Sequence, residues 1–372
     1  MPQTTTLPDT SRTQRLWFVD NLRVLLISLV VVHHVACIYS GLDAWYYTEP
    51  PTSDAAGLGL SVFLLVNQSW FMGAFFLLSG YFSPASYDRK GPRAFLRDRL
   101  IRLGIPLLIF YFAINPVLAL GSGDSYLHTI GSGPLWFVLA LLLLDTSYAV
   151  FRHLTRRPQS RTQRRTQSRT PRPLTFRAVI AFIPALALAT FALRVVIPMG
   201  VSVPIIDFPT SGYLPQYVSF FVLGTAAYRR GWLTATPARL GKLGLGLAVG
   251  GTLVFLPLAL TNGPDAFLGH GTVNSLFYAL WDSTFAVGVV LALLTLFRRR
   301  FNTQGPVRRY LSTHVFTVYV IHALVVTAAG YALRGVDLPS LEKFAIGAVV
   351  VLPACFLLAG PVRRIPGVRR VL

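Results

Sequence analysis

Acidic residues are scarce in this chain: 14 Asp and Glu stand against 34 Lys and Arg among 372 residues, for a net charge of +20. Charge of either sign is thin at 13% of residues, whereas 53% are hydrophobic and the mean hydropathy is +0.56. So few charges cannot coat a soluble domain, which excludes the soluble globular classes. Cysteine is nearly missing as well. Cys37 and Cys355 both lie in apolar runs and no CxxC occurs, which excludes a disulfide framework and a cysteine-based zinc site.

Long hydrophobic runs fill most of the remainder. A membrane span needs about 20 predominantly apolar residues, and about ten segments are predicted to qualify. They are Leu22–Leu42, Leu58–Phe82, Leu103–Gly121, Pro134–Phe151, Ala178–Met199, Tyr213–Tyr228, Leu243–Thr261, Val273–Phe297, Tyr310–Leu333 and Phe344–Val362. The sixth is the shortest and weakest. No small-residue cleavage site follows the first run, which therefore reads as a retained helix and not a signal peptide. The expected fold is all-α and polytopic. A cytoplasmic tail over 1–21 leads into a membrane domain over 22–362, and a second cytoplasmic tail covers 363–372. The Arg/Thr/Gln/Ser loop at 152–177 is low in complexity and is expected to be disordered.

The loops alternate in charge. With the N-terminus inside, the inner segments collect Arg12, Arg15, Arg89, Lys90, Arg93, Arg97, Arg99, the basic loop, Arg229, Arg230, Arg298–Arg300, Arg308, Arg309 and the arginines from Arg363 to Arg370. The outer segments hold Asp43, Glu49, Asp54, Asp124, Asp207, Asp265 and Asp337, with only Arg334 and Lys343 basic. This is the positive-inside pattern; it predicts both termini in the cytoplasm. It also accounts for the charge without nucleic acid as a partner, and makes the anionic bilayer surface the partner of the basic loop.

Ionisable residues inside a bilayer are costly and mark function by default. Here they are Arg23, His33, His34, Asp145, Arg194, Asp282 and His322. In RVLLISLVVVHH, His34 lies eleven residues beyond Arg23, about 16 Å deeper and within roughly 20° of the same helical face. His33 is turned about 100° away. One stripe thus carries a cation at the inner mouth, able to hold a phosphate, and a titratable base near mid-membrane, able to deprotonate a hydroxyl. The same residues are also open to a structural reading, with Arg23 reaching for headgroups and the histidines joining helices by hydrogen bonds. His322 lies midway along the ninth span. Asp282, in ALWDSTF, needs a partner such as a histidine or Arg194. Asp145 lies near the inner end of its span, where it can reach the interface. Arg99 and Arg102, three apart in RDRLIRLGIPLL, share one helical side at the inner surface.

At these residues the chain resembles the acyltransferase-3 family, membrane O-acyltransferases that decorate cell-surface glycans and related acceptors. The hallmark of that family is an Arg or Lys, ten residues and a His on the first span, met here by Arg23 and His34. FVDNLRVL, FFLLSGYF, RDRLIRLGIPLL, GPLWFVLALL and VYVIHALVV resemble it in order over nearly the whole chain. The chain stops after its last span, so the SGNH esterase-like domain fused to some members is not expected. The resemblance implies acyl-CoA as a cytosolic donor substrate, with no bound cofactor, and a hydroxyl-bearing glycan, lipid-linked or small-molecule acceptor; no metal is expected, since no ligand cluster in the sequence has suitable spacing. His34 would act as general base or as a covalent acyl carrier, with Arg23, Arg99 and Arg102 on the donor phosphates. His33, His322 and Asp282 would support catalysis. The rival reading is a proton-coupled secondary transporter that uses His34, His322 and Asp282 as a relay. It lacks the paired interrupted helices that such transporters show.

Overall fold

The computed structural model describes residues 15–121, 123–155, 173–202 and 208–372; Arg12, Asp207 and most of the 152–177 loop lie outside them. The described residues are overwhelmingly helical and form no strand. The main helices are α1 (Trp17–Tyr39), α2 (Asp54–Gln68), α3 (Phe71–Lys90), α4 (Pro92–Leu118), α5 (Trp136–Leu154) and α6 (Phe176–Val196). They continue with α7 (Leu214–Arg230), α8 (Ala238–Ala259), α9 (Val273–Arg300), α10 (Pro306–Ala332) and α11 (Ser340–Arg364). Among the described residues nine helical segments are long and apolar enough to cross a membrane, with α2 and α3 forming one of them. The sixth predicted span is α7, which at 17 residues falls short of that length and packs along α3. The protein is a polytopic helical membrane protein.

α1 is the axle of the bundle. A helix that is apolar all round belongs in the interior, and α1 packs on α2, α3, α9, α10 and α11. It starts at Trp17, inside the segment predicted as tail. Arg15 pairs with Asp20 in the first turn at 2.9 Å, and the Phe18 amide donates to the Asn302 side chain, so the end is tied down. The second predicted span is broken at Ser69–Trp70. The break lets the Ser69 carbonyl accept from Gln216 of α7 at 2.6 Å, and Gln68 donates to the Tyr217 hydroxyl at 3.0 Å. A free main-chain carbonyl is tolerated at this depth because a protein donor satisfies it.

Two helix pairs approach too closely for side chains. A Cβ on Gly224 of α7 would overlap the Leu77 carbonyl of α3, and one on Gly80 would overlap that of Phe221. Gly244 of α8 and Gly288 of α9 face each other in the same way. Small residues are how helices associate where lipid is as apolar as leucine. α4 is irregular for a different reason. Wide π-type turns at Leu100–Gly104 and Phe110–Ile114 precede Pro106 and Pro116, which cannot donate to the fourth carbonyl before them. The carbonyl that Pro116 leaves free, on Phe112, accepts from the Tyr126 hydroxyl at 2.8 Å.

The arginine-bearing helix ends gather at one end of the bundle, the basic face. Asp88 of α3 meets Arg152 of α5 and Arg229 of α7 at 3.8 and 3.6 Å. Asn21 of α1 donates to the carbonyls of Phe301 and Thr303 between α9 and α10. At the opposite end Glu49 pairs with Lys343 of α11 at 2.5 Å.

Candidate active site

The site grows from α1. His34 faces α10, and its Nδ1 lies 3.1 Å from Nε2 of His322, which is fully buried. The other ring nitrogen of His322, Nδ1, lies 2.6 Å from the Tyr319 carbonyl. A carbonyl only accepts, so the proton of neutral His322 sits on Nδ1. Nε2 of His322 is then an acceptor, and the proton it receives is the one on Nδ1 of His34. His34 is left with a lone pair on Nε2 that has no hydrogen-bond partner among the described residues. His33 is held differently. Its Nδ1 accepts from the Asn67 amide at 3.2 Å, which puts its proton on Nε2 and commits its lone pair. The two adjacent histidines therefore differ in the one property a base needs.

Aromatic rings close the site on the side away from the basic face. Trp45 stacks on His34 with centroids 4.3 Å apart, and its indole N–H is buried with no partner among the described residues. The loop that carries it is clamped on both flanks. Tyr46 donates to Asn115 of α4, and Asn115 donates to the Thr129 carbonyl at 2.7 Å. Gly133, in the GSGP turn, holds a φ of +42°, and a Cβ there would overlap the Tyr46 hydroxyl. Tyr47 donates to Glu49 at 2.7 Å. Burial, with the Glu49 carboxylate beside it, pushes the Tyr47 phenol above its ordinary pKa, so it remains a donor.

On the other side a cavity of about 320 Å³ opens toward the basic face, lined by Arg23, Ser79, Phe82, Arg99, Arg102 and Tyr319 among others. Val371 and Leu372 also line it. Tyr319 links the two regions: its side chain lines the cavity and donates to the Pro134 carbonyl, and its own carbonyl holds His322. The three arginines are not equivalent. Arg23 rests over the Phe82 ring at 4.6 Å and has no carboxylate within 4 Å among the described residues. Arg99 pairs through Nε with Asp145 at 2.9 Å, a buried carboxylate that also accepts from Ser83 at 2.5 Å. Arg102 is mostly exposed and shares Asp98 with Lys90.

The chain belongs to the acyltransferase-3 family. The acyltransferase domain of that family matches residues 16–360, which is nearly the whole chain. The chain is 25% identical to glucans biosynthesis protein C of Salmonella schwarzengrund over 381 residues, covering 95% of this chain and 93% of that protein. Its likeness to the proteins of the same name from Salmonella typhi and Salmonella typhimurium is also 25%, over 382 residues each. The family supports an acyl-transferring enzyme carried on a membrane domain.

Of the residues singled out from the sequence, the structure brings His34 and His322 into contact and sets Arg23, Arg99 and Arg102 on one cavity. His33 adjoins His34 but turns to α2 and Phe71. Asp282 lies elsewhere in the polar network. It pairs with Arg194 at 2.6 Å, both side chains are buried, and its further hydrogen bond is with Ser283. Asp145 does not reach the interface; it is sealed under Arg99. Asn67, Trp45 and Tyr319 were missed by reading ionisable residues alone. The polar triplet Asn67–Gln68–Ser69 inside an apolar run was the available signal for the first.

Proposed function

We propose that the protein is an integral membrane O-acyltransferase of the cell membrane. It takes an acyl group, acetyl by default, from cytosolic acyl-CoA and passes it to a hydroxyl of a carbohydrate or another envelope or secreted acceptor. The observation that carries this reading is the Nε2 lone pair of His34, which has no hydrogen-bond partner among the described residues; His34 is held through His322 and the carbonyl of Tyr319, whose side chain lines the basic cavity.

The donor phosphates meet the basic face, with both chain termini on the cytosolic side as the charge pattern predicts. Arg23 contributes a charge there that no carboxylate within 4 Å pairs among the described residues. Arg99, neutralised by Asp145, offers its remaining N–H groups and little net charge. The pantetheine arm runs along the cavity toward Tyr319. His34 takes the acceptor hydroxyl proton on Nε2 while the oxygen attacks the thioester carbonyl. The C–S bond then breaks, and the proton passes from His34 to the departing CoA thiolate. While His34 is positive, the face of Trp45 stacked on it is favourably placed for a cation–π contact. The name of the glucans biosynthesis relatives makes a glucan the first acceptor to try.

The test follows CoA thiol release from acetyl-CoA by detergent-purified protein with glucan oligosaccharides and other sugar acceptors. His34→Ala is expected to lose about 10² or more of the rate, and His33→Ala to keep most of it. Equal turnover in His34→Ala and the unaltered protein would overturn the assignment.

A further inference from the structure

A second cavity, of about 210 Å³, lies on the other side of α3 from the donor cavity. No described residue lines both: Phe75 and Ser79 of α3 face the first, and Leu77 faces the second. Its walls are predominantly apolar, with Val179 and Phe182 from α6, Phe220 and Ala227 from α7, and Val290 and Leu291 from α9, and with Thr295 and Arg298 as polar members. These come from the start of α6 and the ends of α7 and α9, so the cavity occupies the half of the bundle next to the basic face. Walls of this kind offer water little to bond with.

The rim is basic. Arg298 closes it by donating to the carbonyls of Leu233, Thr234 and Thr236, so its hydrogen bonds are spent on the chain itself. Arg177, Arg230, Arg299 and Arg300 are exposed and form no ion pair among the described residues, whereas Arg229 meets Asp88. Arg230 lies 5.3 Å over the ring of Trp232, which lines the cavity at its mouth, where tryptophan meets the headgroup layer. An apolar slot with Arg298 on its lining, and exposed Arg230 over its Trp232, matches a molecule with an apolar tail and an anionic head.

We propose that this cavity holds one acyl chain of an anionic phospholipid from the leaflet at the basic face, with the headgroup phosphate against Arg230, Arg299 and Arg300. The bound lipid wedges α7 apart from α9 and stiffens the far wall of α3. The site is separate from acyl transfer, and stands or falls independently of it.

Trp232 reports on the site directly. The protein is reconstituted into phosphatidylcholine nanodiscs that contain either brominated-acyl phosphatidylglycerol or brominated-acyl phosphatidylcholine at equal fractions. The Trp232 signal is the difference between the unaltered protein and Trp232→Phe. Brominated phosphatidylglycerol is expected to quench it about fivefold more effectively, given the attraction of each arginine for an anionic surface. Unlabelled phosphatidylglycerol should reverse the quenching, and soluble glycerol 3-phosphate should not. The triple variant Arg230→Gln, Arg299→Gln, Arg300→Gln, whose changes are all on exposed side chains, is expected to lose the preference. Ala227→Phe, which fills the slot, is expected to lower quenching by both lipids. Equal quenching by the two headgroups, an undiminished preference in the triple variant, or competition by glycerol 3-phosphate would each overturn the proposal.

Discussion

At the scale of single residues, the site turns on which nitrogen holds which proton. His33 and His34 are chemically identical and adjacent in sequence, and helical phase alone favours the second. The hydrogen bonds add a reason: Asn67 occupies the lone pair of His33, and His322 fixes the proton of His34 on the opposite nitrogen. In the proposed reaction His322 is therefore a positioning residue. Its replacement by Ala is expected to lower kcat by about 10²-fold or more while the KM for acyl-CoA stays within a few-fold, because the proposed donor contacts are Arg23, Arg99 and Arg102. A rise in that KM with kcat intact would place His322 on the donor instead. The helical stripe of Arg23 and His34 was legible in the sequence because 3.6-residue periodicity is a local rule. The partnership with His322 was not, since it joins residues 288 apart.

Among helices, the spans were legible for the same local reason, and their ends and breaks were not. The first span runs longer at its start than hydropathy alone predicts, because Arg15–Asp20 and Asn302 satisfy the end. The α2–α3 break depends on Gln216, a residue of α7 that no reading of the second span could supply. Glycine packing carries a prediction at this scale. The Gly224 position leaves no room for even one methyl against the Leu77 carbonyl. Gly224→Ala is expected to destabilise the bundle by ~2 kcal/mol, seen as a lowered unfolding midpoint in detergent, whereas Gly246→Ala, which faces open space, should be silent. Equal stability of the two variants would show that α3 and α7 separate freely.

Across the whole molecule, the surplus of basic residues was the plainest feature of the sequence, and the structure divides it by use. Some arginines are spent on carboxylates: Arg99 on Asp145, Arg194 on Asp282, Arg152 and Arg229 on Asp88. That division was hidden in the sequence because ion pairing depends on tertiary neighbours. Arg23, which lines the basic cavity, has no carboxylate within 4 Å among the described residues. Acetyl-CoA binding is accordingly expected to weaken several-fold as ionic strength is raised, and Arg23→Gln should flatten that salt dependence. An affinity independent of salt in the unaltered protein would remove the phosphates from the basic face. The His34–His322 pair has a consequence of another kind. Its hydrogen-bond chain ends on a main-chain carbonyl, not on a carboxylate, so no fixed counter-charge stands at its end. The electric field across an energised membrane does work of about 2.3 kcal/mol per 100 mV on each elementary charge moved through it. In the proposed reaction the proton that His34 accepts is then the charge on which that field acts, and acyl transfer is expected to respond to membrane voltage only through that step.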